Sequence, residues 1–117
     1  MTIEAFYDLA GGDAAGTLRR LGSESLVRRF ALRYGADETW ETLRRALAAD
    51  DRPAAFRAAH TLKGTAANLG FTALEAAAST LTETLRAGLA PSPAETAAAA
   101  AAQQRVVDAI AALTADE

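Results

Sequence analysis

Apolar residues along this chain recur every three to four positions and do not alternate with polar ones for long, so the pattern predicts helices and no convincing strand. Glycines, prolines and acidic residues cut that pattern into segments. Gly11-Gly12-Asp13 ends a short first helix, and a second runs to Leu21-Gly22, where Gly22 can take the left-handed conformation beyond a helix end. These two segments, residues 1–22, are expected to form a short N-terminal helical cap. Ser23 can accept hydrogen bonds from the amides that open a third helix, whose Leu26, Val27, Phe30 and Tyr34 keep helical spacing until Gly35. Asp37 can cap a continuation with Trp40, Leu43 and Leu47 on one stripe. It ends near Asp50-Asp51, just before Pro53 opens another helix at a position where a missing N–H costs nothing.

The helix after Pro53 should reach Leu69-Gly70. Thr72 and Glu75 have the spacing of a capping box, which predicts that the next helix starts at once and that the junction is tight. Leu74, Ala77, Ala78, Leu81 and Leu85 give that helix its buried face, and Gly88 with Pro91 ends it. Ser92-Pro93-Ala94-Glu95 reads as a second capping box with proline at the first helical position. The last helix carries Val106, Ile110 and Leu113 but only a light seam before them, because residues 97–102 are all alanine and favour helix by propensity alone.

Composition narrows the class. At 117 residues, half of them apolar, the chain can bury one core without metal or disulfide, so a single domain over residues 1–117 is expected, with the bundle in 23–115. Alanine and leucine dominate while β-branched and aromatic residues are sparse, which makes the expected fold all-α. The absence of cysteine removes thiolate nucleophiles and cysteine metal ligands. Twelve Lys plus Arg against 15 Asp plus Glu give a formal charge of −3, which offers no general attraction to nucleic acid. The first residues carry Glu4 and Asp8 with no cationic lead-in, and no apolar run approaches a membrane span, so the expectation is a soluble cytoplasmic protein with no membrane partner.

Candidate chemistry gathers in Ala58-Ala59-His60-Thr61-Leu62-Lys63-Gly64. On a helix, Ala55, Ala59, Leu62, Ala66 and Leu69 share one stripe, and His60, the only histidine, points about 140° from its centre. His60 should therefore face solvent. Lys63 and Gly64 lie one turn further along on the same side, with Ala67 beyond them, Phe56 one turn before, and Arg57 three residues before. An imidazole is neutral and nucleophilic near pH 7, as a reversible phosphoryl acceptor must be. A lysine one turn away can approach the oxygens of the transferred group and stabilise its negative charge. Glycine inside a helix costs about 1 kcal/mol relative to alanine, so Gly64 suggests that a side chain there would obstruct something above the ring. Taken singly, a surface histidine, a solvated lysine or an edge-of-core Phe56 would carry little weight.

Their joint spacing carries more. The run His60-Thr61-Leu62-Lys63-Gly64, then Ala66-Ala67-Asn68-Leu69-Gly70 and Leu74, preceded by Leu43-Arg44-Arg45-Ala46-Leu47 and the Asp50-Asp51 turn, resembles the histidine-containing phosphotransfer domain family of two-component phosphorelays. The likeness covers residues 20–90 well and the rest loosely, the alanine run being its weakest part. It implies an antiparallel four-helix bundle with His60 as phosphoacceptor, Lys63 assisting the phosphate and Gly64 leaving it room. It also implies a carrier with no kinase activity and no cofactor or metal of its own, since the divalent metal belongs to the receiver domain that presents an aspartyl phosphate. The partners implied are response-regulator receiver domains, with a hybrid sensor histidine kinase as a further candidate, and Phe56, Arg57 and Ala67 are the expected docking residues. A monomer is expected. The rival readings are a helical module that binds receivers without transfer, and a structural bundle that buries the His60 face in a dimer.

Overall fold

The computed structural model of the protein describes residues 1–116. It contains seven helices: α1 (Ile3–Ala10), α2 (Ala14–Leu21), α3 (Glu24–Tyr34), α4 (Thr39–Ala48), α5 (Arg52–Leu69), α6 (Thr72–Arg86) and α7 (Pro93–Ala115). Among the described residues there is no strand.

Most helix ends have a local cause. Thr2, Asp13, Ser23 and Asp51 each accept from a first-turn amide of α1, α2, α3 and α5, an arrangement that contributes about 1 kcal/mol per cap. The Asp37 carboxylate accepts from the Thr39 amide at 2.7 Å as α4 begins. Ser92 and Glu95 exchange both bonds of the expected capping box at the start of α7. The other expected box does not form. Phe71 occupies the cap position of α6, and the Thr72 hydroxyl is drawn away to donate to the Gly11 carbonyl at 3.0 Å.

The reason lies in how two turns meet. Gly70 (φ +74°) ends α5, and its carbonyl accepts from the Asp13 amide at 2.9 Å, while the Ala73 amide donates to the Gly11 carbonyl at 2.9 Å. The α1–α2 and α5–α6 turns thus lie backbone against backbone, so closely that a Cβ on Gly12 would stand 2.3 Å from the Gly70 oxygen. Beneath them Phe71, fully buried, packs against the rings of Tyr34, Tyr7 and Phe6 at centroid distances of 5.4, 5.9 and 6.3 Å. The Tyr7 hydroxyl donates to the Leu69 carbonyl at 2.6 Å, so the end of α5 is held by side chain and backbone together.

From this anchor the helices spread as a bundle. α5 lies between α4 and α6, α6 also packs on α7, and α7 on α1, while α3 touches α1, α5 and α7. The two N-terminal helices differ in weight. Ile3, Phe6, Tyr7 and Ala10 of α1 enter the core, whereas α2 buries only Gly16 and Thr17. The alanine run of α7 gives the light seam expected of it, with only Ala99 and Ala102 inside, while further along Val106, Ala109, Ile110 and Leu113 are buried and Gln103 accepts from the buried Tyr34 hydroxyl at 2.7 Å. Burial, with Asp37 nearby, pushes the Tyr34 phenol above its usual range and keeps it a donor to Gln103.

If Phe71 is the keystone of this arrangement, Phe71→Ala should lower the unfolding free energy by about 3–5 kcal/mol, the range for deleting a buried aromatic side chain. Urea unfolding followed by circular dichroism measures this. A loss below about 1 kcal/mol would show that the ring is not the centre of the core.

Candidate functional site

The site is the outward strip of α5. Its inward strip is fixed by burial: Ala55, Ala58, Ala59, Leu62, Ala66 and Leu69 are all in the core. What remains must face solvent, and His60 does so at the middle of the helix. The next turn brings Gly64, exposed, and Lys63, half-buried. Among the described residues Lys63 makes no ion pair, so its ammonium is not committed to a carboxylate. It is also the only lysine, the other cationic side chains being arginine. An ammonium is a compact charge with three freely rotating donors, better fitted to a group that arrives and leaves than a rigid guanidinium fork.

Gly64 has no structural duty. Its backbone is helical and a Cβ built on it would meet nothing within 4 Å. The fold therefore does not require glycine there, and the cost of having one stands without return inside the molecule.

The residues expected around His60 do not form one ring. Phe56, half-buried, stacks on the His60 imidazole with centroids 6.0 Å apart and planes inclined by 16°. Ala67 is half-buried two turns beyond. Arg57 points to the other flank, where it lines a shallow groove with Asp37, Glu38 and Thr61 between α4 and α5.

Two cations that a reading of α5 alone misses complete the surroundings. Arg86, the last residue of α6, places its guanidinium 5.1 Å from the centre of the Phe56 ring and also pairs with Glu83 at 3.4 Å. Arg20 of α2 donates to the Ala67 carbonyl at 3.1 Å, close to the C-terminus of α5, where a cation is favoured. Both come from other helices, so no periodicity within α5 could reveal them. The strip is thus an apolar and small-residue line with cations at both ends and along its sides.

His60 is exposed on the helix surface. The apolar cleft of about 460 Å³ between Trp40, Leu47, Ala55, Leu85 and Pro91 contains none of His60, Lys63 or Gly64. Among the described residues no three His, Asp or Glu side chains gather as a metal site, and no helix is long and apolar enough to cross a membrane. An open imidazole beside a cation suits a substrate that is itself presented by a macromolecule.

A family model for the Hpt domain matches residues 32–116, which is most of the chain. The chain belongs to the Hpt domain family. Hpt domains are helical histidine phosphotransfer modules of two-component systems, carriers and not kinases, which interact with receiver domains and kinases in phosphorelays. The match runs through the alanine-rich α7, the part where the sequence likeness was weakest, and begins only in the last turn of α3. Comparison with curated proteins and with solved structures gave no significant match.

Because the space at Gly64 is open, Gly64→Leu should leave the Hpt domain folded and raise its stability by up to about 1 kcal/mol through helix propensity. Thermal unfolding checks this, and a drop in melting temperature would mean that the glycine has a packing role.

Proposed function

We propose that this Hpt domain carries a phosphoryl group reversibly on His60 between aspartates of response-regulator receiver domains. The observation that carries the reading is the pairing of a solvent-facing imidazole with an uncommitted ammonium one turn away and a helical glycine that the fold does not need. In the proposed step, the lone pair of the unprotonated ring nitrogen of His60 forms the N–P bond. The P–O bond to the receiver aspartate breaks in line, and the carboxylate leaves with the electron pair. The proton on the other ring nitrogen stays in place, so the product is a phosphorylated imidazolium facing the released carboxylate, and the reverse step regenerates both reactants. Lys63 stabilises the equatorial oxygens in both directions. Any divalent metal needed at the acyl phosphate belongs to the receiver.

Gly64 and Ala67 keep the strip low enough for a receiver to bring its phosphate to the ring, and Phe56 adds apolar surface that excludes water there. Lys63, Arg57 and Arg20, which make no ion pair among the described residues, add positive charge at the margins and steer an acidic active site, whereas the charge of Arg86 is offset by Glu83. We assign the framework of α4, α5, α6 and α7, joined by short turns, as the antiparallel four-helix bundle that the family implies, with residues 1–117 acting as one domain. The domain acts as a monomer with no cofactor of its own, because the His60 face must be free to meet each receiver.

The deciding experiment is incubation with phosphorylated receivers. Acid-labile, alkali-stable label is expected on the wild-type protein, and His60→Gln should retain the fold and take up none. Label retained by His60→Gln would refute the assignment, and a wild-type protein that binds phosphorylated receivers without taking label would make this a docking module. Lys63→Ala should slow transfer in both directions by about 100-fold with an unchanged unfolding midpoint, the low end of the range for losing one hydrogen-bond donor in a transition state. Equal rates for Lys63→Ala and wild type would leave Lys63 a solvated surface residue.

A further inference from the structure

The phosphotransfer reading explains why His60 is exposed but not how an exposed side chain keeps a useful direction. A histidine on an open helix face rotates freely about its side-chain bonds, and transfer succeeds only when the attacking lone pair lies along the line of the breaking P–O bond. Among the described residues the His60 imidazole has no hydrogen-bond partner, so no polar contact fixes it. Its aromatic neighbour is Phe56, four residues earlier on α5, nearly parallel to it at 6.0 Å between centroids and therefore offset. Phe56 is in turn not free: its ring packs against the core, and the Arg86 guanidinium of α6 sits 5.1 Å from its centre.

We infer that Phe56 is a positioning residue for His60, clamped by Arg86, and that the Arg86–Phe56–His60 series sets the direction of the attacking nitrogen. The inference rests on the phosphotransfer reading and deepens it. The chemistry of the ring makes such a device suitable. The nucleophilic lone pair of an imidazole lies in the plane of the ring, and so does the N–P bond of the product. A near-parallel phenyl neighbour limits the rotation open to the imidazole without taking a hydrogen bond from either ring nitrogen. A hydrogen bond to a ring nitrogen would instead occupy one of the two edges. Arg86 supplies the link to α6: its guanidinium lies over the Phe56 ring from a second helix, so the orientation of the nucleophile depends on the α5–α6 hairpin and not on α5 alone.

A positioning role and a docking role predict different rate patterns. A docking residue matters only to a protein donor, whereas a residue that orients the nucleophile matters to every donor. The test compares Phe56→Leu, which keeps the site apolar, with Phe56→Trp, which restores an aromatic face, using both a phosphorylated receiver and phosphoramidate. Phe56→Leu should slow labelling of His60 by phosphoramidate by about threefold to tenfold, the range an aromatic pair's coupling corresponds to, with Phe56→Trp close to wild type. The His60 ring-proton shifts in the NMR spectrum should move in Phe56→Leu toward those of a free imidazole, while the backbone amide spectrum away from α5 and the Arg86 end of α6 stays in place. Arg86→Gln should slow phosphoramidate labelling in the same direction but less, and should add nothing in the Phe56→Leu background. Phosphoramidate labelling of Phe56→Leu at the wild-type rate would overturn the inference, whatever happens with the receiver. So would unchanged His60 ring-proton shifts. If neither donor labels the wild-type protein, the phosphotransfer reading falls and the positioning role with it, and the ring-proton shifts then report on the stack alone.

Discussion

The outward face of this molecule is decided by how tightly the inward face of α5 closes. Four of the six buried residues on α5 are alanine, so α4 and α6 can approach it from two sides with little side-chain bulk between them. A helix enclosed on two sides has one strip left, and whatever stands on that strip is presented to solvent at a fixed angle. His60, Gly64 and Ala67 are on it because Ala59, Leu62 and Ala66 are not. The end of the helix is then locked by the backbone contact at Gly12 and Gly70 and by the Phe71 ring, which together keep α5 from rotating or sliding against α6.

The pattern along the chain foretold all seven helices, and the reason is that most of them are bounded by residues whose conformational preferences are strong. Gly22 and Gly70 adopt the left-handed conformation at helix ends, and Ser23, Asp51 and Ser92 supply side-chain oxygens where amides lack partners. The buried stripe of α5 was equally legible, since apolar spacing alone placed Ala55, Ala59, Leu62, Ala66 and Leu69 inside and His60 outside. What spacing could not convey is competition between distant segments. Thr72 and Glu75 have the right separation for a capping box, yet a carbonyl 61 residues earlier takes the threonine hydroxyl. For the same reason Arg20 and Arg86 were invisible beside the site: their nearness to α5 is a product of packing. A run of alanine carries no periodicity at all, so the faces on which Ala99 and Ala102 are buried could not be read from it.

Fold and site draw on different residues. The side chains proposed for chemistry lie on a strip that contributes little to the core, and those that secure the bundle lie away from it. Gly64 is where the proposed chemistry and the helix would conflict, since nearly every other residue but proline has the better helix propensity. Phe56 is where they overlap: its ring is part of the packed margin of α5 and also the neighbour of the imidazole.

The N-terminal segment has a further meaning. The family match opens at residue 32, but Phe6 and Tyr7 lie against Phe71, and α1 runs beside α7. The span that identifies the family is thus shorter than the span that closes the core. A fragment trimmed to residues 32–116 would keep His60 and every helix of the framework around it. It would also uncover an aromatic face beside Phe71 and leave α7 without its α1 neighbour, so in this chain the borders of recognition and the borders of folding are two different lines.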